Sequence, residues 1–316
     1  MDRQVYRDFD EFTEAVGDVD CRMTMNRPGR KVWSLTGVSL PDVHVQTGIV
    51  GSGNILEGQA YRDGFLFYLP LTSGCAYSAN GQLIERDAFM ILEPGCDFFL
   101  STAEDHDWCA FFVSAHQIDP VARPLSRSPL DSARCRISRP SPALAGAVRS
   151  RVGDLAVAAR TPNFEKSPAA RHAAAAFSAL GTHIAAPGYR EETAPGGRPR
   201  LPRSRIFKRA VAALRKPGGG PTDIAGLASH AGVSERTLRT VFKECVGVSP
   251  SRYLRLRRLH SIRRALKAAD PSTTSVGDIL VQHGEWQFGR LAGRYQALFG
   301  EPPSATLRGP EGVRAR

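Results

Sequence analysis

No stretch of this 316-residue chain is apolar over the roughly 20 residues that a membrane-spanning helix needs, so no membrane span is expected. The start, Met1-Asp2-Arg3-Gln4-Val5, has no basic segment leading into an apolar run. It therefore predicts no secretion signal and a cytoplasmic location. Cysteine is sparse: six residues, at 21, 75, 96, 109, 135 and 245, with no C-x-x-C pair. That spacing argues against a zinc knuckle or a redox dithiol and leaves reduced thiols as the expectation. Histidine is equally thin between residues 30 and 140. Only His44, His106 and His116 occur there, without an H-x-H pair, so neither a metal nor a cofactor is expected. Gly51, Gly53 and Gly58 lack a phosphate-binding spacing and read as turn residues, and Ser52 sits in no nucleophile elbow.

Acidic charge is what the last third lacks most. Residues 201–316 hold 21 Lys and Arg against 8 Asp and Glu, a net +13, whereas residues 1–200 hold 21 against 23, a net −2. A basic module joined to a near-neutral one is the charge footprint of a nucleic-acid-binding domain fused to a second domain. Charge alone fits a solvated basic face or an acidic lipid surface equally well. Hydrophobic residues at 42% and charged residues at 23% are ordinary for folded globular chains, and the length suits two domains.

The first domain reads as mainly β. Short apolar runs at Val43 to Val50, Phe65 to Leu71, Ala88 to Leu92, Phe98 to Leu100 and Trp108 to Val113 are rich in branched and aromatic residues. Asn80-Gly81 predicts a tight hairpin and Pro94-Gly95 a further turn. Such strands close into an antiparallel barrel or sandwich. Phe65, Phe67, Tyr77, Trp108 and Phe111 are candidates to line a small-molecule pocket, with core packing as their other fate. After Pro140 the period becomes helical. Leu144, Val148, Val152 and Leu155 fall on one face, which either covers the barrel or pairs with a second subunit; dimerisation through it is the expectation. A second helix is expected from the N-cap Ser167 through Pro168 to Ile184. Residues 187–203, with Gly196-Gly197 and several prolines, read as a linker.

Beyond the linker the sequence predicts helices over Arg205 to Arg215, Asp223 to Ala231, Glu235 to Cys245, Pro250 to Ala269, Val276 to His283, Phe288 to Leu298 and Ser304 to Leu307. Thr222, Ser234, Ser249 and Ser275 stand as candidate caps. Two helix-turn-helix units follow. In the first, Ile224, Leu227 and Ala228 face inward, Gly232 makes the turn, and Leu238, Val241 and Phe242 pin the second helix. Glu235, Arg236, Arg239, Thr240 and Lys243 are left facing outward. Arginine reads guanine edges in the major groove, and threonine reaches a base or a thymine methyl. The unit then repeats. Val276, Ile279, Leu280 and Gly284 lie 52 residues after Ile224, Leu227, Ala228 and Gly232, and past the turn the offset becomes 53, as in Leu291, Gly300, Pro303 and Ser304 against Leu238, Gly247, Pro250 and Ser251. The offsets imply a tandem duplication with one extra residue in the second turn.

These stretches, Ala231-Gly232-Val233-Ser234-Glu235-Arg236-Thr237-Leu238, Gly247-Val248-Ser249-Pro250 with Tyr253, and Gly284, Gly289-Arg290, Tyr295, Phe299-Gly300 and Pro303-Ser304, resemble the DNA-binding domain of the AraC/XylS family. The resemblance covers about one third of the chain. It implies two three-helix units joined by a long helix, each placing its second helix in successive major grooves of double-stranded DNA. It further implies an N-terminal cupin-like domain that binds a small-molecule effector, a homodimer, contact with RNA polymerase, and activation of a bacterial catabolic or stress operon. The expected layout is a cupin-like β-barrel over 1–140, a helical dimerisation segment over 141–186, a linker over 187–203 and an all-α DNA-binding domain over 204–310. The family carries an aromatic residue after the second turn glycine. Here Glu285 stands there, followed by Trp286, which is expected to fill the vacated space. The second reading helix offers only Gln287, Arg290 and Arg294, beside Gly289 and Gly293. The first unit is therefore expected to read bases and the second to grip the backbone. The competing expectation is a cupin-type metalloenzyme with a basic DNA-localising tail; a third is an architectural DNA binder without sequence preference.

Overall fold

The computed structural model describes residues 3–72, 77–84, 87–118, 135–186, 203–214 and 223–309. The first domain comprises β1 (Gln4–Tyr6), α1 (Phe9–Ala15), β2 (Val19–Arg27), β3 (Trp33–Leu40), β4 (Val43–Val50), β5 (Gly53–Ala60), β6 (Gly64–Pro70), β7 (Tyr77–Ala79), β8 (Gln82–Ile84), β9 (Phe89–Leu92), β10 (Asp97–Thr102), β11 (His106–Ser114) and β12 (Cys135–Ser138), then α2 (Pro142–Ala158) and α3 (Pro168–Ala185). A seven-stranded sheet runs β1-β3-β4-β11-β6-β9-β12, and a five-stranded sheet runs β2-β5-β10-β7-β8. All recorded pairings are antiparallel. The antiparallel two-sheet package expected of these strands is thus present. Asn80 and Gly81, at φ 49° and 85°, form the two-residue link between β7 and β8, the conformation in which Asn-Gly is favoured.

Gly53 and Gly58 are strand residues rather than turn residues. A Cβ on Gly58 would lie 2.3 Å from the Asp20 carbonyl oxygen, and one on Gly53 2.6 Å from Asn26 Oδ1. Close approach of β2 to β5 demands glycine there. Gly51 remains outside the strands.

A second correction concerns the helices. Val148, Val152 and Leu155 of α2 are buried within their own chain, and Leu144 is partly buried against the same cluster. They pack with Phe65, Phe67, Phe111 and Phe177 on the outer face of the seven-stranded sheet, so the stripe expected to dimerise covers the barrel instead. Ser167 caps α3 as expected, accepting from the Ala170 amide at 3.1 Å.

The C-terminal helices are α4 (Arg203–Ala213), α5 (Ile224–Ala231), α6 (Glu235–Val246), α7 (Pro250–Ala268), α8 (Val276–Gln282), α9 (Phe288–Phe299) and α10 (Pro303–Arg308). Arg203 already belongs to α4, and the remainder of the expected linker, 187–202, lies outside the described residues, as does Thr222. Asp223 caps α5, accepting from the Gly226 amide at 2.7 Å.

One apolar cluster runs from the inner barrel into these helices. Phe99 of β10 meets Phe207 of α4 edge-on with centroids 4.6 Å apart, and Phe207 continues to Phe242 and Tyr253. The outer face of the five-stranded sheet is therefore the seat of the helical domain. The hydroxyls of Ser78 and Ser101 donate to the carbonyls of Glu244 and Val246, supplying partners to the open C-terminal end of α6.

Candidate nucleic-acid interface

The two turns are built alike. Gly232 and Gly284 take φ 71° and 69°, a left-handed conformation that glycine adopts without strain. One residue later, the Val233 amide donates to the Ala228 carbonyl at 3.1 Å and the Glu285 amide to the Leu280 carbonyl at 2.9 Å. The equivalence thus holds at an offset of 52 through Glu285. It resumes at 53, where Gln287 stands at the N-cap of α9 as Ser234 does for α6. Trp286 is the extra residue. It is 72% exposed, so it does not fill the space next to the turn. Glu285 instead turns its carboxylate to Arg258 of α7 at 2.8 Å.

In the first unit Leu227, Ala228, Ala231, Leu238, Val241 and Phe242 are buried. Ser234 accepts from the Thr237 amide at 3.2 Å and starts α6. Glu235, Arg236, Arg239, Thr240 and Lys243 are all exposed along its outer face. Arg239 pairs with Glu235 at 2.9 Å, one helical turn away, and the Thr240 hydroxyl donates to the Arg236 carbonyl at 3.2 Å. In the second unit Ser275 and Asp278 form a reciprocal cap on α8. Leu291 and Tyr295 anchor α9, while Gln287, Arg290 and Arg294 are exposed beside two glycines that present no side chain.

The long helix α7 joins the units. Its 19 residues span about 28 Å, close to one turn of duplex DNA at about 34 Å. One side of α7 is fastened to the barrel. The Tyr253 hydroxyl and Arg257 donate to the two oxygens of Glu57 on β5 at 2.8 and 2.9 Å. His260 donates to the Met25 carbonyl at 3.2 Å, and Arg263 reaches Asp8 and Asp10 at 2.7 and 3.1 Å, as well as Glu301 within the helical domain at 2.6 Å. Burial pushes the His260 imidazole down to about 4, so it sits there neutral. Burial also opposes the charge on Asp8, but Lys267 and Arg263 beside it prevail and hold its carboxyl below the ordinary carboxylate range. None of these cross-domain residues carries a local sequence signal, since their partners are up to 255 positions away.

Inside the barrel lies a small apolar cavity, with about 50 Å³ open to the centre of a water molecule. Met23, Leu56, Tyr68, Met90, Phe98 and Trp108 line it. Of the five aromatics expected around an effector, Trp108 is there. Tyr77 is buried nearby against Tyr68 and His106, its hydroxyl donating to the Asp107 carbonyl at 3.0 Å. Phe65, Phe67 and Phe111 point to the opposite face of their strands, beneath α2 and α3, because alternate residues of a strand face opposite ways. The three barrel-region histidines stand apart. His44 pairs with Asp18, His106 bonds the Glu104 carbonyl at 3.0 Å, and His116 lies beside Asp42. Burial drives the described cysteine thiols up, those of Cys21, Cys96, Cys109 and Cys245 to about 12, so none is a ready nucleophile. No described helix is long and apolar enough to cross a membrane.

Residues 227–309 match the family described as "Helix-turn-helix domain". The chain is 36% identical over 103 residues to the "Probable thc operon regulatory protein" of Rhodococcus erythropolis, covering 33% of this chain and 31% of that one. It is 34% identical over 102 residues to the "XylDLEGF operon transcriptional activator" of Pseudomonas putida, covering 32% of each. The match therefore spans about one third of these curated relatives. Among solved structures, the AraC-like transcriptional activator CuxR aligns with 82% of this chain and 94% of its own, at a TM-score of 0.42 and 14% identity.

Proposed function

We propose that this chain, whose C-terminal third is an AraC/XylS-type DNA-binding domain, acts as a sequence-specific, effector-responsive transcriptional regulator of a bacterial operon. The observation that carries the reading is the pair of like-built turns, each followed by a helix anchored on one side and exposed on the other, set at the two ends of α7. Arg236, Arg239, Thr240 and Lys243 read bases in one major groove. Gln287, Arg290 and Arg294 hold the backbone at the next. Double-stranded DNA in the cytoplasm is the primary partner, and RNA polymerase is the partner through which activation proceeds. The effector site is the barrel cavity. Pockets for drug-sized ligands measure about 300–1,000 Å³, so this one admits a much smaller molecule or widens on binding. Homodimerisation, where it occurs, uses a surface other than Leu144, Val148, Val152 and Leu155.

The test is selection of bound duplexes from a random-sequence pool by the full chain, followed by footprinting. Two half-sites about one helical turn apart are expected for each monomer. A pool that stays random after repeated selection would remove the reading.

A further inference from the structure

Between the two units lies a cleft of about 730 Å³ whose floor is α7. Glu235, the first residue of α6, lines one wall, and Trp286 and Gln287, at the start of α9, line the other. The cleft therefore opens where both reading helices begin. Its cationic lining comes from Arg255 and Arg258 of α7 and Arg294 of α9. Arg255 and Arg294 are exposed, and the Arg258 side chain is 41% exposed although paired with Glu285. The opposite side of α7 is the one held by the barrel, so these two α7 arginines are not needed to dock the domains.

Resting on the reading of this domain as a two-groove DNA binder, we infer that the cleft seats the sugar-phosphate backbone between the two major grooves. Arg255 and Arg258 are its phosphate ligands, and Glu285 is a built-in counter-charge that weakens that grip. A duplex engaged by both reading helices must carry a strand of backbone past the floor that joins them. Beside the carboxylates of Asp223, Glu235 and Glu285 on the cleft lining, the floor offers it the guanidinium groups of Arg255 and Arg258, which suit phosphate oxygens in charge and in forked geometry. Glu285 occupies one of those forks in the free protein. Its carboxylate repels the incoming phosphate and must yield Arg258 before a second contact forms. Backbone contacts carry no sequence information, so this pairing lowers affinity for all duplexes alike and leaves discrimination to Arg236 and Arg239.

The experiment uses the full chain, a duplex enriched from a random pool and a scrambled duplex of equal length, titrated by fluorescence anisotropy at several KCl concentrations. Arg255→Ala and Arg258→Ala should each reduce the slope of log K against log[KCl] by about 0.9 and weaken both duplexes by the same factor. Arg255→Lys should restore the slope, and Glu285→Gln should tighten both duplexes. The inference is overturned by an unchanged slope for Arg255→Ala with an unchanged unfolding midpoint, or by a loss confined to the enriched duplex. If no sequence is enriched, the regulator reading fails, while the slope on the scrambled duplex still decides the role of the cleft.

Discussion

Replacing Glu57 probes how firmly the DNA-binding domain is seated on the barrel. Glu57 is 1% exposed, and its two oxygens accept separately from the Tyr253 hydroxyl at 2.8 Å and from Arg257 at 2.9 Å, across the boundary between the domains. The Arg257 side chain is itself only 14% exposed. Glu57→Ala leaves a mostly buried guanidinium and a buried phenol without their acceptor, and breaking one side of a buried pair costs about 3–5 kcal/mol. Glu57→Gln keeps one acceptor oxygen and removes the charge, so its loss should be smaller, about 1–3 kcal/mol. Urea unfolding of the two variants, of Arg257→Met and of the double variant Glu57→Ala/Arg257→Met closes a thermodynamic cycle. The expected coupling is at least about 1 kcal/mol, because the double variant leaves no orphaned charge. A Glu57→Ala variant within about 0.5 kcal/mol of the parent, or additive single changes, would show that the contact does not hold the domains together.

Three further outcomes are expected. Arg236→Ala and Arg239→Ala should each weaken an enriched duplex by about 1–3 kcal/mol with little change on a scrambled one, whereas Arg290→Ala should weaken both evenly; anisotropy showing the reverse pattern would exchange the roles of the two units. Val148→Glu and Val152→Glu should each unfold the chain, at a cost above about 4 kcal/mol for an unpaired buried carboxylate, and a folded variant by circular dichroism with only its self-association lost would contradict the placement of α2. His106 and His260 have pKa values pushed down by burial to about 4, with Asp10, Arg263 and Arg264 acting on His260. Between about pH 6.5 and 4 the unfolded chain binds the protons that the folded one refuses, so stability is full above 6.5 and falls with acid by about 1.4 kcal/mol per pH unit for each histidine. A Tm at pH 5 equal to or above that at pH 7 would contradict it.

The helical third was legible in the sequence because its signals are local. Caps, turn glycines and the apolar period lie within a few residues of one another, and the change of offset from 52 to 53 announced the extra residue that proves to be Trp286. What the sequence did not disclose was which way that residue points, since this depends on Glu285 reaching across to Arg258. The barrel was half legible. Runs such as Phe65 to Leu71 announce themselves, but β6 is buried on both faces, so no polar alternation tells Phe67 from Tyr68. Strands β2 and β5 interleave polar and charged residues, and in β5 glycines, with apolar ones, so no continuous apolar run marks them. The stripe on α2 was correct as a stripe, and an apolar stripe does not reveal whether its cover is a sheet of the same chain or another subunit. Contacts such as Arg263 with Asp8 join the two ends of the sequence and have no local trace.

Strand β5 carries Leu56 on the cavity and Glu57 on the helical domain, in adjacent residues of a wall one chain thick. Side chains alternate strictly along a strand, so a slip of one position would put the carboxylate into the apolar interior and leave Arg257 facing leucine. Two sites on opposite sides of a sheet thus share one point of failure. The residue that forbids the slip belongs to neither: Gly58, opposite Cys21, is the position where β2 leaves no room for a side chain, and a residue with a Cβ moved into it would collide with the Asp20 backbone. An absent methyl group keeps the barrel cavity and the helical domain in the same frame.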